Sequence, residues 1–139
     1  MKTSTLGWTG LEVSRVGLGT YAIGGPGWKC SWGPQDDSES VAALTKGLDL
    51  GANWIDTAPV YGLGHAEEVV GKVIRGMAEK PFLFTKCGQV WNPDGQVYGC
   101  LSKASVKQEC EDSLRRLGVE ALDLLQIHWP DPAEDNEVG

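Results

Sequence analysis

Residues Asn53 to Lys72 read NWIDTAPVYGLGHAEEVVGK. The stretch opens on a short apolar run, Trp54-Ile55, closed by the acid Asp56. Pro59, Gly62 and Gly64 then interrupt regular structure. From about Ala66 to Ala78 the apolar residues Val70, Val73, Ile74 and Met77 recur at helical spacing. Glu67 and Glu68 sit in the first turn of this helix and Arg75 near its end, the order a helix dipole favours. The segment is therefore a strand, a loop and a helix.

The same unit repeats on both sides. Upstream, Val16 to Leu18 is a short apolar run. A helix opens at Asp37-Ser38, either of which can cap it, continues through Val41, Leu44 and Leu48, and closes at Gly51. Downstream, Phe82-Leu83-Phe84 is followed by a helix that starts at Ser102 and ends at Gly118. Val106, Cys110, Ser113, Leu114 and Leu117 lie on one of its faces. Glu111 with Arg115, and Asp112 with Arg116, form i,i+4 pairs on its outer side. A last run spans Leu122 to Ile127. Near-continuous apolar strands separated by helices indicate a parallel sheet covered on both faces. Ahead of it, Ser4-Thr5-Leu6 and Val13-Ser14 flank Gly7-Trp8-Thr9-Gly10, the pattern of a small β-hairpin. The fold class is α/β. Two long glycine-rich connections, about Ile23 to Gln35 and Gly88 to Leu101, have the length of binding or lid segments.

Composition narrows the function classes. The chain has 139 residues, 41% of them hydrophobic, with 12 basic and 19 acidic side chains and a net charge of −7. That balance fits a globular chain and excludes a disordered one. No stretch concentrates lysine and arginine, which argues against a nucleic-acid partner. No apolar run reaches the roughly 18 residues of a membrane span, and the first residues lack a signal core. The expectation is a cytoplasmic protein without membrane contact. The acidity gathers at Asp131, Glu134, Asp135 and Glu137. The four cysteines, Cys30, Cys87, Cys100 and Cys110, lack the short gaps of a zinc knuckle or redox pair, so no metal role is expected. They read as reduced, buried or half-buried residues.

The strand ends carry the chemistry. The first strand runs into Gly19-Thr20-Tyr21, the second ends at Asp56, the third at Lys86 and the fourth at His128. Parallel α/β folds gather such side chains on one rim. Any one of the three would be uninformative, but an acid, a lysine and a histidine in the same topological slot are not what packing selects. Tyr61 follows Asp56 by five residues. A free phenol, with a pKa of about 10, is too weak an acid at neutral pH. A lysine ammonium nearby favours the phenolate and strengthens it, and a carboxylate keeps that lysine charged. An imidazole can donate to the same substrate oxygen. Tyr61, Lys86, Asp56 and His128 thus suffice to protonate a carbonyl while hydride reaches its carbon.

A competing nucleotide pattern fails. Gly17-Leu18-Gly19-Thr20-Tyr21-Ala22 satisfies G-x-G-x-x-A, which should open a helix at once. Gly24-Gly25-Pro26-Gly27 follows instead, and no helix is expected before about Asp37.

These strings resemble the aldo-keto reductase family. TGLEVSRVGLGT is similar to its opening hairpin and first strand, the stretch quoted first to its second strand, catalytic loop and second helix, and CEDSLRRLGVEALDLLQIHWPD to its third helix and fourth strand. The resemblance implies the N-terminal half of a (β/α)8 TIM barrel, with four parallel strands and three helices after a small hairpin. It implies Tyr61 as general acid/base, Lys86 and Asp56 as its tuning pair, and His128 as the group that orients a small-molecule carbonyl substrate. It also implies NADPH (NADP) as cofactor, with Gly19, Thr20, Tyr21 and Asp56 matching early cofactor contacts. The activity expected is reduction of an aldehyde or ketone. The alternatives are a non-catalytic binding or regulatory module, as in the potassium-channel β-subunits that resemble this family, or an inactive fragment.

A whole barrel takes about 250 residues, so residues 1–139 are expected to form an incomplete one that stops as a fourth helix should begin, in Pro132 to Gly139. Exposed barrel edges predict self-association, as a dimer of half-barrels. Relatives often carry Ser where Ala66 stands, and loss of that cap should cost about 1 kcal/mol. Trp28, Trp32, Trp91 and Tyr98 are expected to line an aromatic entrance.

Overall fold

A computed structural model describes residues 1–130; the acidic cluster and the fourth helix expected from Pro132 lie outside the described residues. Strands β1 (Thr3–Thr5) and β2 (Glu12–Ser14) form the antiparallel hairpin. Strands β3 (Leu18–Gly19), β4 (Trp54–Asp56) and β5 (Phe82–Cys87) follow, interleaved with helices α1 (Asp37–Asp49) and α2 (His65–Ile74). A second small hairpin, β6 (Gln89–Trp91) with β7 (Val97–Gly99), precedes helix α3 (Lys103–Leu117) and strand β8 (Leu124–Ile127).

The sheet order is β3-β4-β5-β8, all parallel. Successive strands are neighbours, so the winding is that of a barrel wall and not of a doubly wound sheet, whose order reverses at a switch point. Period two then separates the faces. Ile55 and Leu83 turn to the helices and join Leu44, Val69, Val70, Ile74 and Leu117 in one buried cluster. Trp54 and Phe84 lie on the other face, their rings 5.3 Å apart. Phe84 is buried on this face as Leu83 is on the other, so β5 is covered on both sides as expected, while Trp54 is half-buried. The first hairpin closes the lower end of the wall: Asn53 Oδ1 accepts from the Ser14 amide at 2.7 Å, and Trp54 Nε1 donates to the Ser14 carbonyl at 2.8 Å.

Local chemistry adjusts the predicted boundaries. Asp36, not Asp37 or Ser38, caps α1, because its carboxylate accepts from the Ser38 and Glu39 amides. Ser102 caps α3 as expected, accepting from the Ser105 amide. Helix α2 stops at Ile74 and not Ala78, since Arg75 takes an extended backbone. Its cap position is Gly64, so Ala66 is a fully buried residue inside the first turn and no cap is lost there. A 3-10 turn at Tyr21–Gly24 leads into the first long connection, earlier than any helix was expected. Cys30 is exposed, against the expectation for the cysteines, whereas Cys87 is buried.

Candidate active site

Register brings the strand ends together. Gly19 pairs with Asp56 across β3 and β4, and Lys86 with Gln126 across β5 and β8. Lys86 Nζ donates to Asp56 Oδ2 at 2.7 Å and to the Thr57 carbonyl at 2.8 Å. The lysine side chain is only 13% exposed, so its ammonium has exchanged water for two oxygen acceptors, the condition under which a lysine can be removed from solvent.

The loop between β4 and α2 delivers the tyrosine. The Thr57 amide donates to the Phe84 carbonyl at 2.9 Å, which extends the strand pairing by one residue. The Tyr61 amide donates to Ala58, and the Tyr61 carbonyl accepts from the Ala66 amide in the first turn of α2. Tyr61 is thereby buried, its ring centroid 5.1 Å from Lys86 Nζ. The His128 ring stands 5.6 Å from it at 84°. His128 lies one residue beyond β8 and is tied to β5 by its amide, which donates to the Cys87 carbonyl at 2.9 Å. Burial lowers the imidazole below the usual histidine range, and the Lys86 ammonium adds to the effect, while Asp56 opposes it. The neutral ring keeps one N–H to donate.

All four predicted catalytic side chains therefore share one rim. Of the other predicted residues, Gly19 borders the inner face beside Asp56. Thr20 is fully buried, its amide and hydroxyl both donating to the Asp56 carbonyl. Tyr21 places its ring edge-on to Tyr61 at 5.2 Å and donates its hydroxyl to the Cys30 carbonyl.

A cavity of about 430 Å³ opens over this rim, walled by Tyr21, Trp28, Tyr61, His128 and Trp129. Trp28 lines it as the aromatic-entrance expectation required. Trp91 does not: its ring lies under the Arg116 guanidinium. Trp32 meets the Tyr21 ring edge-on at 5.7 Å but is itself exposed, as is Tyr98. Two participants escaped the sequence reading. Trp129 adjoins His128 and lines the cavity. Gln126 Nε2 lies 3.3 Å from Asp56 Oδ1, opposite the oxygen that Lys86 uses. Strand alternation counted back from His128 puts Gln126 on the same face, and that was the available signal.

Residues 15–138 match the family model described as the Aldo/keto reductase family. The chain is 42% identical to the aldo-keto reductase YhdN of Bacillus subtilis over 95% of its own length and 39% of that protein. It is 38% identical to an NADH-specific methylglyoxal reductase of Escherichia coli, over 93% of this chain and 42% of the relative. The solved glycerol dehydrogenase AKR11B4 of Gluconobacter oxydans superposes with a TM-score of 0.83 at 44% identity, covering 96% of this chain and 41% of that one. The chain thus spans about two-fifths of the length of the relatives it matches.

Proposed function

The chain belongs to the aldo/keto reductase family, and from that premise we propose that its rim reduces the carbonyl group of an aldehyde or ketone with a nicotinamide dinucleotide as cofactor. The observation that carries the reading is the contact of Lys86 with both Asp56 and the Tyr61 ring. A bound reduced nicotinamide would supply the hydride that attacks the carbonyl carbon. Tyr61 gives its hydroxyl proton to the carbonyl oxygen, and the product is the alcohol. Lys86, a cation 5.1 Å from the ring, stabilises the phenolate that this leaves. Asp56 keeps Lys86 in place, and the neutral His128 donates a hydrogen bond that orients the oxygen.

The donor set fits the sugar end of such a cofactor. The Asp56 carboxylate is an acceptor for a ribose hydroxyl, and a Cβ at Gly19 would meet nothing within 4 Å, leaving open space beside it. Gly19 and Asp56 are the residues we assign to hold it; Thr20, fully buried and bonded to the Asp56 carbonyl, positions that acid, and Tyr21 packs against the Tyr61 ring. NADPH is the form the family resemblance implies, whereas the Escherichia coli relative is NADH-specific; titration with each dinucleotide, followed by tryptophan quenching, decides between them. Tyr61→Phe should then abolish reduction of an aldehyde panel at unchanged cofactor affinity. Full activity in that variant refutes the mechanism. Cofactor binding without turnover in the parent chain favours the non-catalytic module.

A further inference from the structure

Glu67 is the least expected side chain in the protein. It is fully buried, although it stands in the first turn of α2, where a carboxylate can satisfy the helix dipole without leaving water. Each carboxylate oxygen has its own partner: Oε1 accepts from Thr85 Oγ1 at 2.7 Å and Oε2 from Arg116 Nε at 2.6 Å. Arg116 is itself mostly covered, its side chain 18% exposed. Burying two charges costs several kcal/mol per ion, and apolar residues of the same volume often stabilise a fold as well or better. Stability alone therefore does not account for the pair.

Its attachments do. Thr85 is the residue before Lys86 on β5. Glu67 follows Ala66, whose amide holds the Tyr61 carbonyl. The Arg116 stem lies against Gly64, where a Cβ would come within 2.9 Å of Arg116 Cδ. The Arg116 guanidinium stands 5.9 Å from the Trp91 ring in the β6–β7 hairpin, and the neighbouring Gln89 and Val97 of that hairpin line the cavity. One ion pair thus clamps the end of the Tyr61 loop, the strand that carries Lys86 and a wall of the pocket. We propose that the buried Glu67–Arg116 pair, locked to Thr85, is a positioning device that holds Tyr61 in register with Lys86. Glu67 and Arg116 are then positioning residues for the carbonyl reduction proposed above, on which their role in turnover rests. An ion pair suits this task because its partners cannot slide past one another as apolar contacts can.

The test separates positioning from stability. Glu67→Gln, Arg116→Met and the double variant are compared with the parent by thermal unfolding, by hydrogen exchange and by turnover. Removing both charges spares the double variant an unpaired buried ion, so its Tm should return toward the parent. Exchange in the segments 57–66 and 84–88 should nonetheless stay at least 10-fold faster than in the parent, with α1 unchanged. Where the parent turns over, kcat of the double variant should remain at least 10-fold down with cofactor affinity intact. The proposal is overturned if exchange rises uniformly, or if local exchange and kcat recover together with Tm, because the pair then serves the fold alone. A parent without turnover counts against the reductase reading and leaves the exchange comparison to decide the clamp.

Discussion

The carbonyl oxygen of Gly24 lies 1.9 Å from the point where a Cβ on Gly62 would stand, so the turn that follows β3 and the loop that carries Tyr61 meet backbone to backbone. The same two segments bring the Tyr21 and Tyr61 rings edge to face at 5.2 Å.

Gly62→Ala should therefore be destabilising for two reasons. The residue sits at φ +65°, which costs a side-chain-bearing residue roughly 1–2 kcal/mol, and the new methyl group must displace the Gly24 backbone, an overpacking cost of about 1–3 kcal/mol. Gly118 provides the control. It has nearly the same φ, +69°, with nothing within 4 Å of a Cβ, so Gly118→Ala carries the strain term alone. Urea midpoints should rank Gly62→Ala clearly below Gly118→Ala. Equal losses would mean that the two loops part without cost.

The depressed His128 predicts a pH slope of definite sign. Its folded pKa lies below the ordinary 6.5. As pH falls through 6.5 the unfolded chain binds a proton that the folded chain still refuses, so stability drops until the folded imidazole titrates as well. Above about pH 7 both states are neutral and the group contributes no slope. His128→Gln should flatten the fall in unfolding free energy between pH 7.5 and 5.5. The same slope in parent and variant would show that burial does not hold this ring neutral.

Thiol chemistry should follow environment. Burial pushes the Cys87 thiol up to about 11, with the Glu109 carboxylate and Cys110 adding to the effect, while Cys30 is exposed at the cavity wall. Thiolate is the reactive form. Brief treatment with a maleimide at pH 8, read by peptide mass spectrometry, should label Cys30 in the folded chain and Cys87 only after denaturation. Rapid labelling of Cys87 in native buffer would contradict the packing of β5 against α3.

How far the sequence could be read depends on the range over which each feature is decided. The strand-loop-helix order, and with it the placement of Asp56, Lys86 and His128, follows from local periodicity and from the position of each residue at a strand end. Glu67 defeats that logic: helix-dipole preference explains an acid in a first turn whether it is solvated or buried, and its partners lie 18 and 49 residues away. Arg116 was assigned to Asp112 by i,i+4 spacing for the same reason. The bond to Glu67 takes it inward, and Asp112 pairs with Arg115 instead. The β6–β7 hairpin lay inside a stretch whose glycines signalled only a loop, because its pairing is short and rests on three residues per strand.

The sheet edges carry the last prediction. Strand β8 pairs with β5 on one side and, among the described residues, with no strand on the other. Ile127 at its end is 57% exposed. A parallel edge with an exposed apolar side chain is a template for another strand, and a lysine there opposes such pairing. We propose that the 139-residue chain self-associates through this edge. Sedimentation equilibrium at micromolar concentration should give a mass at least twice the 14.9 kDa of the chain, and Ile127→Lys should shift the distribution toward the single chain without altering its circular dichroism. A parent that sediments as a 14.9 kDa species across the concentration range would show that the edge is protected, and a variant that still associates would place the contact on the inner face around Trp54 and Phe84.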